Sequence, residues 1–218
     1  MIRNKPSVDA QVTIRPPNFQ TAAFRITGTA PYCQNNFSQK AHNQIRVKQE
    51  AGSAGKKGQK REPKDFQACY EGAKHKSSEG WCGIPATAFR KAMVSACRVV
   101  GFKMTLAKLA VFVEADGFGE DGTPLVRILK GEPKYHEAAV RNENGVCDLR
   151  ARPMWAPGWE ADVRVRFDAD LFTVEDIANL LMRVGQQVGI GEGRPDSTNS
   201  CGMGWGMFRI LEPKEKGR

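Results

Sequence analysis

The sequence predicts an α+β domain whose elements run strand, helix, strand, strand, helix, strand. Two segments, about Pro85–Val100 and Thr173–Val188, place apolar residues at helical spacing. Short segments that are apolar or strictly alternating lie around them, chiefly Lys108–Ala115 and Ala161–Phe167. Polar, Gly-rich or Pro-rich stretches separate these elements and read as insertions rather than as core.

The first strand is expected over Thr21–Gly28, with Phe24 and Ile26 on one face and Arg25 and Thr27 on the other. The first helix opens at Pro85, whose fixed φ suits a first helical turn. It carries Phe89, Ala92, Met93, Ala96 and Val100 as its buried stripe and stops at Gly101. Lys108–Ala115 is the expected second strand, bounded by Asp116-Gly117 and by the glycines from Gly119 to Gly122. Leu125–Leu129 and Tyr135–Arg141 read as a hairpin around Lys130-Gly131-Glu132-Pro133. Arg150–Trp159 reads as irregular, because Pro153 and Pro157 disfavour a helix or a central strand. In Ala161–Phe167, Val163, Val165 and Phe167 point inward and Arg164 and Arg166 outward. Thr173-Val174-Glu175-Asp176 starts the second helix, whose stripe is Ile177, Leu180, Leu181, Val184 and Val188. A Gly-rich loop from Gly189 to Pro195 ends it, and Gly204–Leu211 is the final strand. Two helices of this kind bury their stripes on one face of a four-stranded antiparallel sheet. That is a ferredoxin-like (RRM-like) βαββαβ core with a basic loop excursion and a hairpin insertion, its second sheet face open to a ligand.

Composition narrows the function classes. The 218 residues hold 33 Lys plus Arg against 24 Asp plus Glu, a net charge of +9, and 40% are hydrophobic, which fits one domain with excursions. No run of eighteen apolar residues exists to span a membrane, and Met1–Val8 lacks the apolar core of a signal peptide, so a soluble cytoplasmic chain is expected. Six cysteines are scattered without a Cys-x-x-Cys pair, so reduced thiols are expected rather than a zinc site or disulfides. His42, His75 and His136 have no nucleophile or acid at a motif spacing and read as surface residues. Glu114, Asp116 and Glu120 read as turn chemistry rather than as a metal site.

The positive charge is concentrated. Lys40–Lys76 holds ten basic against four acidic residues, six of the nine net charges. Its middle, Ala51–Arg61, is Gly-rich and lacks apolar periodicity, which predicts a loop carrying Lys56, Lys57, Lys60 and Arg61, with Lys64 just after it. Such a loop suits a polyanion, because each cation that meets a phosphate releases a condensed counterion; a solvated loop is the plainer alternative. The glycines at 189, 191, 193, 202, 204 and 206, with Arg194 among them, suggest backbone passing close to something bulky and anionic. A turn before an edge strand needs glycines as well. No helix follows Gly189-Ile190-Gly191-Glu192-Gly193, so a dinucleotide site is rejected. Trp155 and Trp159 beside Arg150 and Arg152 could stack on bases while the arginines hold phosphates, or form a lid packed on the domain.

Three motifs converge: Gly83-Ile84-Pro85-Ala86-Thr87-Ala88-Phe89-Arg90 leading into the first helix, Val188–Arg194 after the second, and Gly202-Met203-Gly204-Trp205-Gly206-Met207-Phe208. Together they resemble the RAMP superfamily, RNA-binding proteins that form the backbone of CRISPR effector complexes. The resemblance covers most of the chain through short, degenerate motifs. It implies that Thr87 and Arg90 occupy the helix positions that face RNA, and that Gly191, Gly193 and Arg194 belong to the family's Gly-rich loop. Gly204, Gly206 and Phe208 match its Gly-x-Gly-x-Phe-like strand. Lys91 stands where the family often has Gly and Val94 where it often has Arg, a pattern equally consistent with a divergent, virus-encoded relative.

The resemblance further implies a single domain over 1–218 with a finger-like insertion at 40–82 and a thumb-like one at 120–159. It implies a non-catalytic binder of single-stranded RNA, such as a guide RNA, or of single-stranded DNA, acting as a homo-oligomer or ribonucleoprotein subunit without cofactor, metal or membrane. The residues assigned to nucleic acid are Lys56, Lys57, Lys60, Arg61, Lys64, Thr87, Arg90, Arg150, Arg152, Trp155, Gly191, Gly193 and Arg194. Two alternatives stand beside it: an endoribonuclease of the same superfamily, for which Asp65 is the candidate acid, and a viral structural or assembly protein.

Overall fold

The computed structural model describes residues 15–36, 46, 64–141, 147–197 and 202–212. In chain order these form β1 (Phe19–Gly28), β2 (Tyr32–Cys33), α1 (Phe66–Gly72), β3 (Gly83–Pro85), α2 (Ala86–Ala96), α3 (Met104–Ala110), β4 (Val111–Val113) and β5 (Gly117–Phe118). Then follow β6 (Pro124–Lys130), β7 (Lys134–Arg141), β8 (Cys147–Trp155), β9 (Glu160–Asp168), α4 (Val174–Arg183) running into a π-helical turn (Val184–Val188), and β10 (Phe208–Ile210). The fold is α+β with antiparallel sheets. The main sheet runs β10-β1-β9-β6-β3, with β4 also on β9 and β5 on β6; a second sheet runs β2-β8-β7.

The alternation read from β1 and β9 sets their shared register. Ala22, Phe24 and Ile26 face Val165, Val163 and Ala161 on the inner side, and Thr21, Ala23 and Arg25 face Arg166, Arg164 and Asp162 on the outer. Helices α2 and α4 cover the inner face. Phe89 and Met93 of α2, Ile177 and Leu181 of α4, and Val163, Val165 and Phe167 of β9 are all fully buried in one cluster. Each such side chain contributes about 1.5–3 kcal/mol by leaving water. Thr173 and Asp176 close a reciprocal capping box at the start of α4, as the Thr-x-x-Asp spacing suggests.

Several expectations change. Helix α2 ends at Ala96, and Val100, expected in its stripe, is 50% exposed because the chain turns away before Gly101. Lys108–Ala110 closes α3, so the expected second strand shrinks to β4, three residues long. The apolar run from Leu106 has both periodicities, and Arg90 helps settle it by donating to the Lys108 and Val111 carbonyls at the junction.

Strands β6 and β7 do not pair with each other. At Gly131, with φ +98°, and Pro133 the chain turns from the first sheet into the second, where β7 pairs with β8 along its whole length. The segment expected to be irregular therefore contains the central strand of that sheet. Pro153 is tolerated there because its nitrogen need not donate, while its carbonyl accepts from the Gln34 amide at 3.1 Å. The final strand is only β10, because Gly204 and Gly206 adopt positive φ in the turn before it. Helix α1 lies inside the stretch expected to be a basic insertion.

Candidate functional site

A cleft of about 680 Å³ opens between the exposed side of α2 and the Gly-rich loop after the π-helical turn. Pro85, Ala88, Lys91, Ser95 and Arg98 line one wall, and Gly189, Gly191, Glu192, Gly193, Arg194 and Asp196 the other. Tyr32, Gln34, Asn35 and His75 close the end between them. Buried Gln34 organises that end, donating through Nε2 to the Gly83 carbonyl at 2.7 Å and accepting from the His75 amide at 2.9 Å. His75 is half-buried at the end of the cleft, and burial lowers its pKa. Burial also pushes the Cys33 thiol up to about 12, which leaves it without nucleophilic character at neutral pH.

The glycines are explained by the chain itself. Gly206 donates to the Pro31 carbonyl at 2.7 Å and accepts from the Ile190 amide at 3.1 Å, while Gly193 accepts from Met203 and Trp205 at 2.7 and 3.2 Å. Gly191 has φ +77°, and a Cβ there would lie 2.5 Å from the Cys33 carbonyl oxygen; at Gly193, φ +75°, it would strike the Trp205 ring at 2.5 Å. The bulky neighbours of these glycines include the 202–206 turn and the Tyr32 segment. Backbone hydrogen bonds zip the described part of the loop onto its own fold.

A clamp joins the two walls. Asp196 accepts from the Ser95 hydroxyl and pairs with Arg98 at 2.7 Å. The Ser95 hydrogen bond first, and Arg98 with it, hold the Asp196 carboxyl below the usual carboxylate range. A depressed carboxylate stabilises the folded loop fully above its unfolded pKa, and that contribution disappears as pH falls through the folded one. Acidification from about pH 4 downward should therefore loosen the clamp and lower the protection of residues 189–197. Amide protection in that loop, corrected for the intrinsic exchange rate at each pH, should fall over this range in the wild type and be lower and independent of pH over this range in Asp196→Ala.

The expected binding residues fall into separate groups. Gly191, Gly193 and Arg194 line the cleft, with Arg194 Nη1 donating to the Gly191 carbonyl at 3.0 Å. Arg150 and Arg152 reach its rim from β8, where both pair with Glu192, at 3.6 and 2.9 Å. Lys64 joins the same cluster, pairing with Asp148 at 2.9 Å, and this holds the Asp148 carboxyl below its ordinary value. Thr87 is exposed on α2 one turn before Lys91, on the same side of the helix. Arg90 sits apart, against β4.

Trp155 has to be corrected. It is 0% exposed, packed against Tyr32 with ring centroids 5.6 Å apart, so it cannot stack on a base; alternation along β8 turns it into the core. Trp159 is equally buried and donates to the Ala30 carbonyl at 3.1 Å. The Asp65 carboxylate caps α1, accepting from the Ala68 amide at 2.9 Å. Lys56, Lys57, Lys60 and Arg61 lie outside the described residues.

The residues missed by sequence reading are Lys91, the Ser95–Arg98–Asp196 clamp, Gln34 and His75. Lys91 was accessible through its spacing from Thr87, whereas the others depend on contacts between distant segments. Among the described residues no group of three or more His, Cys, Asp and Glu is placed to hold a metal ion. No helix among them is long and apolar enough to cross a membrane. No protein-family model matches the chain, and no curated protein matches it.

Proposed function

We propose that this chain is a non-catalytic binder of single-stranded RNA that multimerises along the nucleic acid, in the manner of RAMP-type backbone subunits. The observation that carries the reading is where the basic insertion leaves and rejoins the described fold. Asn35 lines the cleft and Asn36 is tied to Ala73 and Lys74; on the return, Lys64 is tied to Asp148, beside Arg150 and Glu192. The sequence between them, residues 37–63, holds seven basic and two acidic residues. The described residues at its two ends border a cleft walled by Lys91, Arg98 and Arg194, and a sequence of that charge together with such a cleft suits a phosphate chain.

The order β1, α2, β4, β9, α4, β10, with β10-β1-β9-β4 as antiparallel neighbours, supports a ferredoxin-like βαββαβ core. Within that reading 120–159, which contains the β7–β8 hairpin, is the thumb-like insertion and 40–82 the finger-like one. Val99, Val100, Leu106 and Leu109, between 41 and 72% exposed around α3, offer an apolar surface for a neighbouring subunit. The cytoplasm suits thiols such as those of Cys33, Cys69, Cys82, Cys97 and Cys147, which are free. The endoribonuclease alternative is less favoured, because the Asp65 carboxylate is engaged in a helix cap.

Protein purified at low salt should carry nucleic acid, read as an ultraviolet absorbance maximum shifted from 280 toward 260 nm. Ribonuclease should restore the protein spectrum. A pure-protein spectrum at low salt would instead favour a structural or assembly protein.

A further inference from the structure

The outer face of the main sheet carries a second constellation that the cleft does not use. Its arginines differ in how they are held. Arg25 pairs with Asp162 and, at 3.5 Å, with Glu160. Arg164 pairs with Asp116 at 2.7 Å and with Glu114 at 3.5 Å. Arg166, two residues further along β9 and exposed, has no ion pair among the described residues. Its guanidinium lies instead over two rings, 5.1 Å from Phe19 of β1 and 5.2 Å from Phe112 of β4.

The rings meet edge-on at 5.8 Å, and Arg90 stacks over Phe112 at 4.7 Å. Two carbonyls hold the Arg90 guanidinium but do not neutralise it. The nearby acids are engaged elsewhere. Glu114 accepts from Thr21 and pairs with Arg164, and Asp168 accepts from the Asp170 amide. Aromatic contact fixes the plane of Arg166 while leaving its N–H fork available, a combination suited to a phosphate beside a base. Phe19, 38% exposed, presents ring surface next to it.

At the other edge of the same face, Arg209 stands opposite Thr27 and is also exposed without an ion pair among the described residues. Arg166 stands opposite Thr21. At 3.3 Å per residue, the two cations are roughly 20 Å apart along β1. The neutralised pairs of Arg25 and Arg164 lie between them. Two guanidiniums without an ion pair among the described residues, this far apart, suit a polyanionic strand better than a single nucleotide.

We infer that the outer sheet face is a second nucleic-acid contact surface, on which a single strand lays one phosphate on Arg166 beside a base on Phe19 and extends toward Arg209. This rests on the nucleic-acid reading above but uses none of the cleft residues. The test is salt-titrated binding of a labelled single-stranded RNA to the full chain and to Arg166→Gln, Arg209→Gln and Phe19→Ala. Each arginine variant should lower the slope of log affinity against log salt by about 0.7, and Phe19→Ala should weaken binding about tenfold with the slope unchanged. An oligonucleotide carrying 5-iodouridine should crosslink to the peptide containing Phe19, and that crosslink should be lost in Arg166→Gln. Folded variants with wild-type slope, affinity and crosslinks would overturn this surface and leave the cleft reading standing. A wild type that binds no RNA at low salt would remove both.

Discussion

Replacing Gly206 by alanine is expected to unfold the Gly-rich wall. A Cβ at Gly206 would lie 1.7 Å from the Ile190 carbonyl oxygen, and φ there is +70°. The clash is with backbone, so no rotamer change relieves it. The hydrogen bonds from Gly206 to Pro31 and from Ile190 to Gly206 would have to part as well. The positive φ alone costs an L-residue about 1–2 kcal/mol, and the loss of packing should bring the total above about 4 kcal/mol, among the largest single-site effects. Gly204 is the matched control. Its φ is +74° but a Cβ there meets nothing within 4 Å, so Gly204→Ala should cost only the conformational 1–2 kcal/mol or so. Urea unfolding of the two variants measures the difference directly. Equal, small losses would show that these glycines are not held by their own chain.

The second large effect is at Trp155. Truncating a fully buried tryptophan to alanine should cost about 3–5 kcal/mol of stability. Any loss of RNA affinity in Trp155→Ala would then track the unfolded fraction. The phenylalanine variants separate packing from hydrogen bonding. Among the described residues Trp155 Nε1 is buried without a hydrogen-bond partner, whereas Trp159 Nε1 donates to Ala30. Trp155→Phe removes an unpaired donor, while Trp159→Phe leaves a carbonyl unpaired. Trp159→Phe should therefore be less stable than Trp155→Phe by about 1–3 kcal/mol, read from denaturant midpoints at a common m-value. The reverse order would mean that the Trp155 donor is satisfied in solution.

Where a side chain's surroundings depend on its own element, the sequence was informative. The stripe Phe89, Ala92, Met93, Ala96 and the alternation Val163, Val165, Phe167 both fix which face is buried. Periodicity fails where tertiary contacts decide. Val100 continues the spacing of α2 after the helix has ended, and Lys108–Ala110 closes a helix that begins at Met104 instead of opening the strand that follows. Pro153 argued against a strand, yet β8 leaves its nitrogen free of any donor role.

The site divides along the same line. The Gly-rich loop was visible as composition, but what it packs against came from residues 31–33 and 202–206. The arginines at 150 and 152 were visible as charges, but their pairing with Glu192, some forty residues away, was not. Phe19 lay outside the expected first strand, so its place beside Arg166 could not be read from alternation.

The central proposal is that the basic insertion and the cleft together hold a phosphate chain. The most direct measurement is affinity for single-stranded RNA as a function of salt, comparing the wild type with the variant in which Lys56, Lys57, Lys60 and Arg61 are all changed to glutamine. Each phosphate contact contributes about 0.7 to the slope of log affinity against log salt on a single strand. The expected result is steep salt dependence in the wild type and a slope lower by up to about 2.8 in the quadruple variant, with binding weakened alike for all sequences. An unchanged slope, or no binding at low salt by either protein, would contradict it.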